Sequence, residues 1–168
     1  VLQASRIDSN KIRALGISAQ GETLIFVDKG GQPLRNAIVW MDNRAQDEAD
    51  ELSNAFEKQG SYKVTGQVSI VPTWPATKVL WVRKNEPDIF SNTAKILLIE
   101  DYFIYRMTGK YVAEGSLLCS TVYWDIIRKT WWPEMLAYLK IVPEQLPEIR
   151  ESGEPVGVIS PEVAKERG

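Results

Sequence analysis

Six residues have types and spacing that suit a polar ligand. Gln20, Gly21 and Glu22 form a short polar loop between two apolar runs, and Trp40, Asp42 and Arg44 stand at the end of a third. Gln and Glu side chains accept hydrogen bonds from hydroxyl groups, and Gln also donates. A glycine between them lets a ligand come close to the backbone. An indole can lie on the apolar face of a ring or chain while its N–H stays free. Asp42 and Arg44 can orient hydroxyls or pair with one another. Together these groups suit a polyhydroxylated molecule. The same residues also read as an ordinary polar turn, a core tryptophan, a helix cap and a surface ion pair.

Other chemistries are excluded by composition. The 168 residues contain no histidine and one cysteine, Cys119. Histidine-based catalysis, thiolate metal sites and an intrachain disulfide are therefore unavailable within the chain. Cys119 lies in the apolar stretch "SLLCSTV" and reads as a small buried hydrophobe. The net charge of −2 gives no basic footprint for nucleic acid. The aromatic stretches "VYWDIIRKTWW" and "YFIY" therefore read as core packing rather than base stacking. No Walker motif or glycine-rich phosphate fingerprint is present; "DKGGQP" is a turn between strands. No apolar run approaches the roughly 20 residues of a membrane span. The expectation is a soluble, cytoplasmic chain without nucleic-acid or membrane partners. A homodimer interface would be sought at aromatics such as Trp131 and Trp132, with burial the equal alternative.

The elements that must position the six residues follow from punctuation and period. Residues 11–18, 23–28 and 36–41 read as strands, the last two as a hairpin over a "KGGQP" turn, with Gly16 implying close backbone approach. Asn43 and Gln46 suggest a capping box, and Ala45, Ala49, Leu52 and Phe56 make one helical stripe that Gly60 would end. Its acidic run 47–51 reads as a solvated face. Residues 61–69 read as a connection. Pro75 opens a helix that "EPDIF" breaks. Residues 94–99 read as a strand, 100–107 as a helix stopped by Gly109, and 131–139 as a helix. Residues 111–127 are ambiguous. Residues 143–155 read as a loop, 156–160 as a strand, and 161 onward as a helix. The pattern is α/β, with a mixed sheet and flanking helices.

Several stretches carry a resemblance: "KIRALGISAQGETLIFVDKGGQPLRNAIVWMDNRAQDEADEL", "TGQVSIVPTWPATKVLWVRKNEPDIF", "AKILLIEDYFIYRMTGKYV", "STVYWDI" and "EPVGVISPEVAKERG". In order and spacing they resemble the N-terminal domain of the FGGY family of carbohydrate kinases, over nearly the whole chain. "PATKVLWVRKN" is the most specific of them. The resemblance implies the first domain of an actin-like, ribonuclease-H-like ATPase fold, with sugar and MgATP in a cleft between two domains. It implies that Gln20, Gly21 and Glu22 contact substrate hydroxyls, that Trp40 walls the site, and that Asp42 and Arg44 lie near it.

The resemblance also marks departures. Glycerol kinases carry an Arg where this chain has Gly21, and an aromatic near Thr73. Xylulose kinases carry Met-His where it has Gly21-Glu22, yet the later segments look more like the xylulokinase branch. A ketopentose such as xylulose is the favoured substrate, with glycerol and other polyols the alternatives. The family's Asp-x-Gly-Thr phosphate hairpin is expected upstream of Val1, and its catalytic Asp after Gly168. The ATP-binding domain is expected further on. The expectation is thus an internal portion of the first domain, inactive alone, with no catalytic base or metal ligand of its own. Its ATP and Mg²⁺ would be held mainly by other parts of the parent. The rival expectation is a non-catalytic sugar-binding or assembly module derived from such a domain.

Overall fold

A computed structural model describes residues 2–8, 11–56 and 60–167. The fold is built around one buried strand, β1 (Leu24–Val27). Its four residues, Leu-Ile-Phe-Val, are all buried, as expected of a strand covered on both faces. It pairs antiparallel with β2 (Lys95–Leu98), Leu24 opposite Leu98 and Val27 opposite Lys95. Side chains alternate across the pair. Leu24, Phe26, Ile96 and Leu98 enter the main core. Ile25, Val27 and Leu97 face a smaller cluster with Ile99, Tyr102 and Tyr111.

On its other edge β1 meets residues 33–38, but only through isolated bridges at Ile38 and Pro33. The expected hairpin is therefore fragmentary. Pro33 has no N–H to donate, so a continuous ladder cannot run through it. At the turn, Asp28 Oδ1 accepts from Gly30 N at 2.8 Å and Gln32 N at 2.9 Å. The left-handed backbone of the turn falls to Gly31, with φ 74.

The main core is closed by helices. α1 (Leu2–Ser5) is a single turn. The stripe of Ala49, Leu52 and Phe56 in α2 (Gln46–Phe56), with Ala45 just ahead of it, is buried as its spacing requires. No capping box precedes it: Asn43 Nδ2 donates to Met41 O, and Gln46 Nε2 to Asp50 Oδ1. The acidic run is not wholly solvated either, since Glu48 is buried against Lys84, 3.2 Å away. Gly60 takes φ 88 just ahead of α3 (Ser61–Thr65), where a connection was expected.

α4 (Pro75–Asn85) is the central helix. Pro75 sits at its start, where its missing N–H costs nothing. Residues 75–80 are all buried, so the N-terminal half of this helix is enclosed, with α2, α5 (Pro87–Asn92) and α8 (Pro133–Leu139) packed against α4, while Lys84 and Asn85 at its end are exposed. Pro87 does interrupt α4, but it opens α5 rather than a loop.

α6 (Ile99–Thr108) follows β2 directly and stops at Gly109, φ 74. The ambiguous stretch resolves into β3 (Val112–Glu114), α7 (Gly115–Leu118), a 3₁₀ turn and β4 (Trp124–Asp125). β4 pairs antiparallel with β5 (Thr130–Trp131). The expected loop after α8 supplies a 3₁₀ turn and β6 (Glu148–Arg150), which pairs parallel with β3. The mixed strand directions are as expected, but among the described residues they fall into three two-stranded sheets. α9 (Pro161–Arg167) ends the described chain.

Besides residues 36–41, which keep only the bridge at Ile38, two expected strands do not form. Residues 11–18 have no ladder partner among the described residues, and Ile12 and Leu15 are 45% and 59% exposed. No atom lies within 4 Å of a Cβ built on Gly16, so no backbone approaches it. Residues 156–160 are held only at single points, by Lys110 Nζ on Val156 O and Met107 O on Ser160 N. Alternating apolar residues describe a wish for burial; a strand also needs an unpaired edge to join. The later aromatic stretch packs as expected, with Tyr123, Trp124 and Trp132 buried and Trp131 edge-on to Trp124 at 5.2 Å, but in Tyr102–Tyr105 no residue is buried and Phe103 is exposed.

Asp101 gives the fold a pH dependence. Its carboxyl is buried in the first turn of α6 and accepts Leu98 N at 2.8 Å. Burial pushes it up to about 8, against the backbone N–H groups that hold it. An unfolded Asp titrates near 4. The folded state therefore holds the extra proton between these values. The stabilisation is full below pH ~4 and is lost as pH rises toward 8. Asp101→Asn keeps a neutral acceptor for Leu98, so urea unfolding at pH 5 and pH 8 should show a flatter pH dependence than in the parent sequence.

Candidate functional site

The polar loop between residue 20 and β1 is a γ-turn. Thr23 N donates to Gly21 O at 2.9 Å, and Glu22 between them takes φ 66. A glutamate in the left-handed region is strained, and such strain gathers at binding sites. Thr23 is buried at the head of β1. Its Oγ1 accepts from Gln20 Nε2 at 3.0 Å and from Trp40 N at 3.1 Å. One hydroxyl thus joins the Gln20–Glu22 turn to the Trp40 segment. Trp40 itself is 41% exposed, so its indole is open to a ligand rather than part of the core.

Gly21 is not demanded by packing. A Cβ there would make ordinary contacts with Leu117 Cδ2 at 3.5 Å and Ser120 Oγ at 3.8 Å. Cys119 lies near the same turn. It is half-buried rather than fully so; burial first, then Glu22, raises its thiol pKa.

Beneath the Trp40 segment lies Lys78 of α4, with no exposed surface. Its Nζ donates to Val39 O at 2.9 Å and Trp40 O at 3.0 Å. Burial lowers its pKa to about 8, opposed by the negative charges of Asp42 and Glu22 and assisted by Arg44. The ammonium therefore senses carboxylates from both the turn and the strand end.

Asp42 and Arg44 satisfy each other. Arg44 Nε reaches Asp42 Oδ1 at 2.9 Å and Arg44 NH2 reaches Oδ2 at 2.8 Å, and the hydrogen bond to Arg44 holds the Asp42 carboxyl below its usual range. Arg44 also stands over the Trp81 ring at 4.8 Å. The pair forms a rim beside the site, and its groups are committed to one another. A separate surface hollow near Lys63, Asp125 and Arg128 includes none of the six residues.

The structure therefore brings Gln20, Gly21, Glu22 and Trp40 together, with Asp42 and Arg44 alongside. Thr23 and Lys78, which hold them, escaped the sequence reading. Lys78 carried a signal: it is the one charged residue in the first two turns of α4, whose other charges, Arg83 and Lys84, stand in its last turn. Chemically, the assembly offers carboxylate, amide and indole groups for a hydroxylated ligand. Among the described residues no group of three or more His, Cys, Asp or Glu side chains could hold a metal ion. No helix among the described residues is long and apolar enough to cross a membrane. The described residues by themselves do not fit an ATP·Mg²⁺ site.

Known proteins share this arrangement of elements. The chain is 34% identical over 154 residues to a xylulose kinase from Klebsiella pneumoniae, covering 92% of this chain and 31% of that protein. It is 31% identical over 168 residues to a glycerol kinase from Thermococcus kodakarensis, covering 96% and 33%. The crystal structure of a gluconate kinase from Lactobacillus acidophilus superposes with a TM-score of 0.89 at 32% identity, covering 98% and 33%. The chain thus spans about a third of the length of the relatives it matches. The model of the FGGY family of carbohydrate kinases, N-terminal domain, matches residues 1–168, and the chain belongs to that family.

Proposed function

We propose that the full-length protein containing this chain transfers a phosphoryl group from ATP to a hydroxyl of a sugar or polyol. A ketopentose such as xylulose is the favoured substrate, because relatives named xylulose kinase lead the similar proteins. The observation that carries the reading is the joining of the strained Glu22 turn to the exposed Trp40 through Thr23 Oγ1.

In this reading Gln20 and Glu22 orient substrate hydroxyls, the Gly21 backbone lets the substrate approach, and Trp40 walls the ring or chain. Asp42 and Arg44 shape the rim. Such positioning supplies much of the rate in phosphoryl transfer. The base, ATP and Mg²⁺ belong to other parts of the protein, and this chain by itself is inactive.

The test is ADP release by the full-length protein with MgATP and a panel of xylulose, ribulose, gluconate and glycerol. Turnover with the highest kcat/KM for xylulose is expected. Turnover with another member corrects the substrate. Sugar binding by calorimetry without any turnover would replace the kinase with the non-catalytic module.

A further inference from the structure

We propose that Lys78 is a positioning residue for the substrate, acting through Trp40. This rests on the sugar-kinase reading of the site. Residues 36–41 form no strand, so no ladder fixes Trp40. Side-chain packing does not fix its neighbours either, because Val39 and Met41 are 42% and 59% exposed. Buried Ile38, bridged to Leu24, anchors the segment two residues earlier; at Trp40 itself the hold is hydrogen bonding from outside the segment. Trp40 N is held by Thr23 Oγ1 and Trp40 O by Lys78 Nζ. Both backbone polar groups of the residue that would wall the substrate are thus held by buried side chains.

Lys78 also grips Val39 O, which accepts Asp42 N at 3.0 Å in the turn that follows. One ammonium therefore fixes the start of the 39–42 turn and the Trp40 carbonyl together. A buried lysine is costly unless its protons are used, and this one spends two of its three on these carbonyls. Lys78 sits in the enclosed part of its helix, residues 75–80, so its anchor is fixed by packing. That enclosed part is thereby coupled to an exposed ligand wall.

A double-mutant cycle in the full-length protein tests this. Lys78→Met, close in length but without donors, should raise the sugar KM about tenfold, the effect of losing one or two hydrogen bonds. The ATP KM should change by less than about twofold. In a Trp40→Ala background the same substitution should raise the sugar KM by less than about twofold, because the residue it positions is gone. An equal factor in both backgrounds, or sugar and ATP KM rising together, would make Lys78 a purely structural residue. Should Lys78→Met fail to fold, Lys78→Gln keeps one donor and should give a smaller sugar-KM effect with the same dependence on Trp40. The kinase reading fails separately, by absence of turnover in the unsubstituted protein. In that case acrylamide quenching of Trp40 emission, taken as the difference from Trp40→Phe, decides the positioning role. Lys78→Met should increase it, and unchanged quenching would overturn the inference.

Discussion

Glu22→Ala in the full-length protein is expected to lower kcat/KM for the sugar by about 10- to 100-fold while leaving the unfolding midpoint nearly unchanged. A hydrogen bond to a charged group contributes about 1.5–3 kcal/mol, and each 1.4 kcal/mol is roughly tenfold. Stability should be spared because Glu22 side-chain atoms make no hydrogen bond that holds the turn; Thr23 N and Oγ1 do that. Glu22→Gly sharpens the contrast. Relief of the φ 66 strain recovers about 1 kcal/mol. Added freedom in the unfolded chain offsets about 0.5–1 kcal/mol of it. The glycine variant should therefore be as inactive as the alanine variant and at least as stable. Either substitution also removes a negative charge that favours protonated Lys78, so the Lys78 pKa should fall further. Initial rates over a range of sugar concentrations, with thermal unfolding of the same preparations, check both halves. Undiminished turnover would remove Glu22 from the site.

What the sequence revealed depended on how local its cause was. β1, β2, α4 and α6 were readable because dense apolar runs lie between Pro75, Gly109 and polar turns. Residues 11–18 and 156–160 have similar apolar content but no partner strand among the described residues, and partnership is not written in a local pattern. α3 and α5 are too short to show a period. The same division runs through the site. Gln20, Glu22 and Trp40 stood out as polar or aromatic groups at strand ends. Thr23 and Lys78 did not, because their roles lie in bonds to residues 17 and 38 positions away. Asp42 and Arg44 pair with one another, the surface ion pair that spacing leaves open beside a role toward substrate hydroxyls.

Gly31→Ala should be the most destabilising single methyl in the described chain, costing about 2–4 kcal/mol. Two effects add. The backbone at Gly31 has φ 74, where an L side chain costs about 1 kcal/mol. The new Cβ would also lie 1.9 Å from the Tyr105 hydroxyl oxygen and 2.3 Å from its Cζ. Tyr105 cannot retreat freely. Its ring stacks on Tyr111 with centroids 4.2 Å apart and planes 8° apart, and its hydroxyl donates to Gly30 O at 3.2 Å. Moving it forfeits about 0.5–1.5 kcal/mol of ring contact and a similar hydrogen-bond contribution. The turn lies at the opposite end of β1 from Glu22, so the sugar KM of folded enzyme should not change. Tyr105→Ala supplies the control. Against that background Gly31→Ala should cost only the backbone share, about 1 kcal/mol, since the clashing ring is gone. Urea unfolding of the four proteins measures the coupling. Equal costs in both backgrounds would mean that the turn rearranges away from Tyr105 and that the aromatic ring does not set its position.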